Sequence, residues 1–396
     1  MIQFIQKSVF LAFSIFSIAS YSNSFQTVTK NNTPVIKTGA DNYEKYLPLL
    51  KDKKIGIVTN QTGILSDKTH LVDFLLEKKI AIQTIFAPEH GFRGTADAGE
   101  HVVDGKDSKT GLSIISLYGD NKKPKATQLA GIDIMVFDLQ DVGARFYTYI
   151  SSLHYVMEAC AENEIPLIIL DRPNPNGNIV DGPLLEKEFT SFVGMHPVPL
   201  LYGMTIGEYG KMINGEKWLK DGIQCKLTVI PCVNYNRKME YSLPVKPSPN
   251  LPNNQSINLY ASLCLFEGTN VSVGRGTEKQ FQIYGSPFLA KENFGFRFTP
   301  KPNFGAKDPM HNGKECFGED LTTYPKLKRL ELKWLIKAYK NTSDKTKFFN
   351  PFFTKLAGTK KLQQQIIDGT SEEKIRMSWQ KDLESFRKIR SKYLIY

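Results

Sequence analysis

The chain reads as an α/β protein, a Rossmann-like doubly wound parallel sheet followed by a second, smaller α+β domain. Two observations predict it: short apolar runs alternate with helical patterns, and three of the runs end in clusters of carboxylates and arginines. The runs lie at residues 55–59, 80–87, 112–117, 132–139 and 167–170. Continuous apolar stretches of this length, bounded by turn residues, suit strands buried on both faces. Between them, residues 68–79 and 150–163 carry apolar side chains at helical spacing, so strand and helix alternate. Right-handed crossovers then gather the C-terminal strand ends along one edge, where such folds bind ligands.

Beyond the fifth run, Thr205-Ile206-Gly207-Glu208 has the capping-box pattern that opens a helix. Residues 226–230 predict a strand and the Pro-rich stretch 243–252 an ordered loop. An apolar segment at 259–266 precedes the Gly-rich stretch 267–278, and the tail from Tyr324 reads as mainly helical. The implied organisation is a signal peptide at 1–24, a linker at 25–42, a Rossmann-like catalytic domain at 43–205 and an α+β domain at 206–396 that completes the cleft.

The first 24 residues carry Lys7, an apolar run over 9–19 and then small polar residues, the pattern of a secretory signal peptide. No later stretch reaches the roughly 18 apolar residues of a spanning helix, so a soluble mature chain is expected, exported to a periplasmic or extracellular location. The five cysteines lack metal or redox spacing and sit in apolar surroundings, which predicts buried free thiols. A net charge of +11 suits an acidic polymer without specifying one. Lys326, Lys328, Arg329, Lys333, Lys337 and Lys340 interleave with apolar residues at helical spacing, which reads as the solvated face of an amphipathic helix rather than a nucleic-acid surface.

Chemistry concentrates at the strand ends. The second run closes on Ala87-Pro88-Glu89-His90-Gly91-Phe92-Arg93-Gly94. A carboxyl placed where a buried strand meets solvent is partly desolvated, which raises its pKa toward what a general acid requires. His90 has three readings: orienting Glu89, contacting a ligand, or filling the turn. The fourth run ends in Asp138, Gln140, Asp141 and Arg145, and the fifth in Asp171 and Arg172. Asp141 has a second reading as a loop cap, and Arg172 either pairs with Asp171 or grips a ligand carboxylate as a bidentate fork. Gly274-Arg275-Gly276-Thr277-Glu278 lacks the GxGxxG pattern and the βαβ context of a nucleotide loop, and reads better as a turn presenting Arg275 and Glu278 to a cleft. Glu267 is a further candidate. No nucleophile elbow, HExxH or Walker motif is present. Convergent carboxylates in an exported chain suit glycoside hydrolysis, with neither cofactor nor metal required.

At these residues the sequence resembles the NamZ-type exo-β-N-acetylmuramidases. Gly56-Ile57-Val58-Thr59-Asn60-Gln61-Thr62-Gly63, the Ala87 to Gly94 segment, Phe137-Asp138-Leu139-Gln140-Asp141-Val142-Gly143-Ala144-Arg145-Phe146-Tyr147-Thr148-Tyr149 and Asp171-Arg172-Pro173-Asn174-Pro175 carry the match. The resemblance implies an active site between the two domains and release of terminal N-acetylmuramic acid (MurNAc) from MurNAc-GlcNAc chains of peptidoglycan, where GlcNAc is N-acetylglucosamine. Glu89 matches the family's acid, with Glu278 and Asp138 as candidates for its catalytic counterpart. MurNAc differs from GlcNAc by a lactyl ether bearing a carboxylate, so at least one of Arg93, Arg145, Arg172 and Arg275 is expected to discriminate the two sugars. His90, Gln140, Asp141 and Asp171 complete the expected binding set. Two other classes use the same residues. A non-catalytic binding protein for wall fragments would keep the arginines and the aromatics Phe92, Phe146, Tyr147 and Tyr149 without needing Glu89. A metal-assisted hydrolase would draw on Glu89, His90 and Asp138, which lack recognisable ligand spacing.

Overall fold

The alternating apolar runs assemble into a seven-stranded sheet in the computed structural model, which describes residues 35–93 and 104–396. The signal peptide read at 1–24 and Gly94 of the Glu89 motif lie outside the described residues. The strands are β1 (Lys54–Thr59), β2 (Ala81–Ala87), β3 (Gly105–Lys106), β4 (Ser113–Ser116), β5 (Ile134–Asp138) and β6 (Leu167–Leu170). A hairpin, β7 (Asp181–Leu184) with β8 (Pro199–Leu201), stands apart as its own two-stranded sheet, and β9 (Leu227–Ile230) returns to the large one. The order across the large sheet is β3-β4-β2-β1-β5-β6-β9. Only the short β3 is antiparallel to its neighbour. Without β3, the parallel strands follow the Rossmann order, with the direction of winding reversing between β1 and β5.

Side-chain alternation explains why the sheet is buried on both faces. Ile55 and Ile57 of β1, Ile134 and Val136 of β5, and Ile168 and Leu170 of β6 enter one core with Tyr46 and Leu50 of α1 (Tyr43–Leu50) and Leu71 and Leu75 of α2 (Leu71–Glu77). Their neighbours Val58, Met135, Phe137, Leu167 and Ile169 enter the opposite core. That second core also takes Leu129 of α3 (Ala126–Leu129), the apolar stripe of α4 (Tyr149–Glu162), and Ile206, Tyr209 and Ile213 of α5 (Ile206–Gly215). The predicted capping box is formed, with Glu208 N donating to Thr205 Oγ1 and Thr205 N to Glu208 Oε2.

The same core continues into the second region. There α6 (Asn254–Leu263) precedes an antiparallel sheet of β10 (Ile283–Ser286), β11 (Phe296–Phe298) and β12 (Cys316–Asp320). Helices α7 (Lys333–Lys340), α8 (Phe352–Ala357), α9 (Lys361–Ile367), α10 (Glu372–Ser378) and α11 (Gln380–Arg390) follow. Residues Ile36–Tyr396 form one compact unit, and the large sheet takes its edge strand β9 from beyond residue 205. All five cysteines are buried and free.

Two local readings are revised. The end of the stretch read as a linker packs onto the sheet: Gly39 N donates to Asp171 O at 2.7 Å, and Lys37 pairs with Val233. The basic helix starts only at Lys333, because backbone amides ahead of it are taken by other elements. Leu327 N bonds Asn258 Oδ1, Leu330 N bonds Asp181 Oδ2 and Glu331 N bonds Ser262 Oγ. These partners keep the stretch out of helix despite its helical spacing.

Candidate active site

At the sheet's switch point, where this topology ordinarily leaves a ligand crevice, the protein fills the space with its own groups. Asp138 ends β5 and Arg172 follows β6. Arg172 Nε donates to Asp138 Oδ1 at 2.6 Å and its Nη2 to Oδ2 at 2.9 Å, while Nη2 also reaches Ile64 O. This bidentate pair is sealed, with side chains 2% and 0% exposed. It is an internal strut rather than a pair of ligand-binding groups.

The neighbouring candidates are also engaged in hydrogen bonds, although Asp141 Oδ1 and Arg145 Nε are buried without a partner among the described residues. Asp171 accepts from the backbone of Arg172 and Gly207, from Thr205 Oγ1 and from the Tyr396 hydroxyl, tying α5 and the last residue to the sheet. Burial raises its pKa to about 7. Gln140 donates to the carbonyls of Asp141 and Pro173. Asp141 caps Gly143 N and accepts from Tyr202, so its loop-cap reading is the one realised, and burial lifts it to about 6. Arg145 is enclosed and donates to four carbonyls, of Pro183, Val198, Leu356 and Ala357, binding the β7–β8 hairpin to α8. For Asp138, Gln140, Asp141, Arg145, Asp171 and Arg172, the expected ligand contacts are replaced by structural hydrogen bonds. The physical reason is shared: each lies beneath the rim, where an unpaired charge or amide would be costly.

The open space lies beside β2. A cavity of about 690 Å³ is lined from the sheet side by Glu89, His90, Tyr118, Phe146, Tyr147 and Thr148. The second region supplies Tyr260, Glu267, Arg275, Phe281, Lys307 and Asp308, and the loop between β7 and β8 adds Phe192 and Val193. The Pro-rich stretch is the expected ordered loop. Ser248, Asn250 and Leu251 face the cavity, and Pro247 O accepts from the Tyr147 hydroxyl at 2.7 Å.

Glu89 is the half-buried carboxyl at the end of β2. It is carried on a tight turn in which Gly91 N donates to Pro88 O, and His90 and Gly91 both take positive φ, +71° and +74°. A left-handed histidine is uncommon and costs energy, so the turn is held by its surroundings. The Tyr118 hydroxyl donates to Glu89 Oε1 at 3.1 Å and Thr148 Oγ1 to Oε2 at 3.0 Å. The Tyr149 hydroxyl reaches Glu89 O and in turn accepts from Asn60 Nδ2 at 2.6 Å. The ends of β1, β2 and β4 and the start of α4 therefore fix one carboxyl in the cavity wall.

Across the cavity, Glu267 lies in a short 3-10 turn after α6, and its Oε1 accepts from Arg275 Nε at 2.7 Å. Burial opposes the charge on Arg275, but Glu267 first, with Tyr260 and Cys264, offsets it, so its pKa is raised. Of the expected set, the structure brings Glu89, His90 and Arg275 to the cavity, together with Glu267. Glu278 is exposed and lies outside the lining. Arg93 also lies outside it, paired with Asp107 at 2.6 Å. Tyr118 and Thr148 were missed as supports of Glu89. Tyr118 lies two residues past the end of β4, a position like that of Glu89 after β2, whereas Thr148 precedes α4, ten residues beyond β5, and only the packing brings it to the carboxyl. Lys307, Asp308 and Phe192 carry no comparable sequence signal.

An acid at a strand end of a Rossmann-ordered sheet, facing a second region that closes the cleft, defines a two-part α/β architecture shared with known proteins. The chain belongs to the exo-β-N-acetylmuramidase NamZ family, whose N-terminal model matches residues 55–255 and whose C-terminal model matches residues 258–396. It is 41% identical to the peptidoglycan β-N-acetylmuramidase NamZ of Bacillus subtilis strain 168, over 96% of this chain and 95% of that protein. Two crystal structures of DUF1343 family proteins from Bacteroides fragilis NCTC 9343 share the fold. One is 44% identical with a TM-score of 0.84, covering 92% of this chain and 99% of the other. The second is 28% identical with a TM-score of 0.75, covering 91% and 99%.

Proposed function

We propose that this chain is an exo-acting β-N-acetylmuramidase that hydrolyses non-reducing terminal MurNAc from peptidoglycan fragments, with Glu89 as the general acid. Membership of the family supports the reaction class, and the B. subtilis relative supports peptidoglycan as the polymer. The observation that carries the role of Glu89 is its setting: a half-buried carboxyl in the cavity wall, aligned by two hydroxyls, with aromatic side chains around it. In this reading Glu89 passes its proton to the glycosidic oxygen as the C1–O bond breaks, and water adds at C1 and gives up one proton, so that the acid is restored with no net change in protons. His90 shapes the turn that aims Glu89. The signal-peptide pattern supports action outside the cytoplasmic membrane, where the polymer is found.

Purified chain incubated with para-nitrophenyl MurNAc and its GlcNAc counterpart tests the proposal. Release of nitrophenol from the MurNAc compound, with little from the other, is expected. Glu89→Gln lowers kcat by about 10²- to 10⁴-fold, the usual share of a general acid, while affinity for MurNAc-GlcNAc stays near wild type. Silence on both compounds refutes the reaction, and full activity of Glu89→Gln on MurNAc-GlcNAc, whose sugar leaving group needs protonation, refutes the acid.

A further inference from the structure

The cavity contains a second carboxylate, and its geometry differs from that of Glu89. Glu267 Oε1 is committed to Arg275 Nε, and Oε2 lies 3.4 Å from Cys264 Sγ. Arg275 is held from several sides. It sits between Gly274 and Gly276, both with positive φ, +81° and +79°. A Cβ on Gly274 would meet Ile283 at 2.6 Å, and one on Gly276 would meet Pro309 at the same distance, so both positions require glycine. The guanidinium packs on Phe281, 5.0 Å from the ring centroid. Among the described residues its Nε carries the hydrogen bond, and the two terminal nitrogens make none.

We propose that Arg275 is the receptor for the lactyl carboxylate of MurNAc, and that Glu267 is a positioning residue that aims it. The assignment rests on the muramidase reading. With Nε anchored and one face covered by Phe281, the guanidinium presents its terminal edge in a fixed plane, the geometry a carboxylate accepts bidentately. Arg145 is enclosed, with both terminal nitrogens on carbonyls, Arg172 is paired with Asp138, and Arg93 lies outside the lining. Lys307 also lines the cavity, but an ammonium is a point charge without a fork. A sugar without the lactyl group leaves this edge unused, which gives the site its preference for MurNAc.

The test compares para-nitrophenyl MurNAc with the same compound carrying a neutral lactyl amide. Wild type should favour the acid by about 10- to 100-fold in kcat/KM, the range for a charge-assisted pair in a partly buried cavity wall. Arg275→Gln should erase that preference, and Arg275→Lys should shrink it. Glu267→Gln should raise KM for the acid more than KM for the amide. Equal use of acid and amide by wild type overturns the assignment without needing a variant, as does a preference kept by Arg275→Gln. A drop of more than about 100-fold in kcat on both compounds for Glu267→Gln makes Glu267 a catalytic group and removes the positioning role. If wild type cleaves neither compound, the hydrolase reading fails separately. Calorimetry with free MurNAc then decides the receptor: binding lost in Arg275→Gln supports it, and binding unchanged overturns it.

Discussion

Two arginine–carboxylate pairs in this molecule look alike on paper and differ in everything that follows. Asp138–Arg172 closes the switch point of the sheet, 0% and 2% exposed, with both partners consumed by each other and by Ile64 O. Glu267–Arg275 stands in the wall of the cavity, 25% and 24% exposed, joined through one nitrogen. Depth is the difference. A charge beneath the rim must satisfy itself within the protein, whereas one at the wall keeps donors for a ligand. The Rossmann order is preserved while the usual crevice is plugged, and the usable cleft moves to the end of β2.

Breaking the sealed pair should have the largest effect. Arg172→Ala leaves Asp138 buried and unpaired, with an expected loss of about 3–5 kcal/mol in urea unfolding. The double change Asp138→Leu with Arg172→Met should recover part of that loss. A loss below about 1 kcal/mol for Arg172→Ala would mean the pair is solvated and the comparison fails.

Next come the hydroxyls that hold Glu89. Tyr118→Phe or Thr148→Val removes one hydrogen bond to the carboxyl, and kcat should fall about 3- to 10-fold, near 1 kcal/mol each. Steady-state rates on para-nitrophenyl MurNAc, with the melting temperature as a control, check this. Unchanged rates in both variants would make the alignment of Glu89 independent of them.

A smaller effect concerns pH. His154 Nδ1 and His196 Nε2 are 3.0 Å apart, and His196 Nδ1 bonds the Tyr209 hydroxyl. Burial holds both imidazoles below the usual 6.5, with Glu158 opposing and Lys123 aiding the shift at His154, and His154 adding to it at His196. The unfolded chain takes up protons near 6.5 while the folded one resists, so stability is full above that pH and falls as pH drops below it. Asp141 and Asp171 act with the opposite sign, because burial raises them to about 6 and about 7. The readout is therefore a difference: His196→Gln should lose about 1 kcal/mol less than wild type on acidification from pH 7.5 to 5.5. Identical pH slopes would show that the pair does not titrate in this window. Smallest of all, Glu278→Gln should change kcat/KM by less than about twofold, as expected of an exposed side chain outside the cavity.

The sequence by itself determined the sheet and the carboxyl most exposed to chemistry. Alternation in β1, β5 and β6 requires burial on both faces, and Pro88 with Gly91 places Glu89 just past a strand end. Local pattern is enough there because period and turn chemistry act over a few residues. Tertiary structure alone decided which charges remain available. Asp138 and Arg172 are 34 residues apart in sequence and Arg145 is bonded to carbonyls more than 200 residues away, so no local pattern shows that they are used up. The same holds for the release of 325–332 from helix, whereas Glu267 and Arg275 lie only eight residues apart and it is their exposure in the cavity wall that the packed chain decides. Burial and long-range pairing are properties of the packed chain, and they turn residues of identical type into a strut in one place and a ligand-facing group in another.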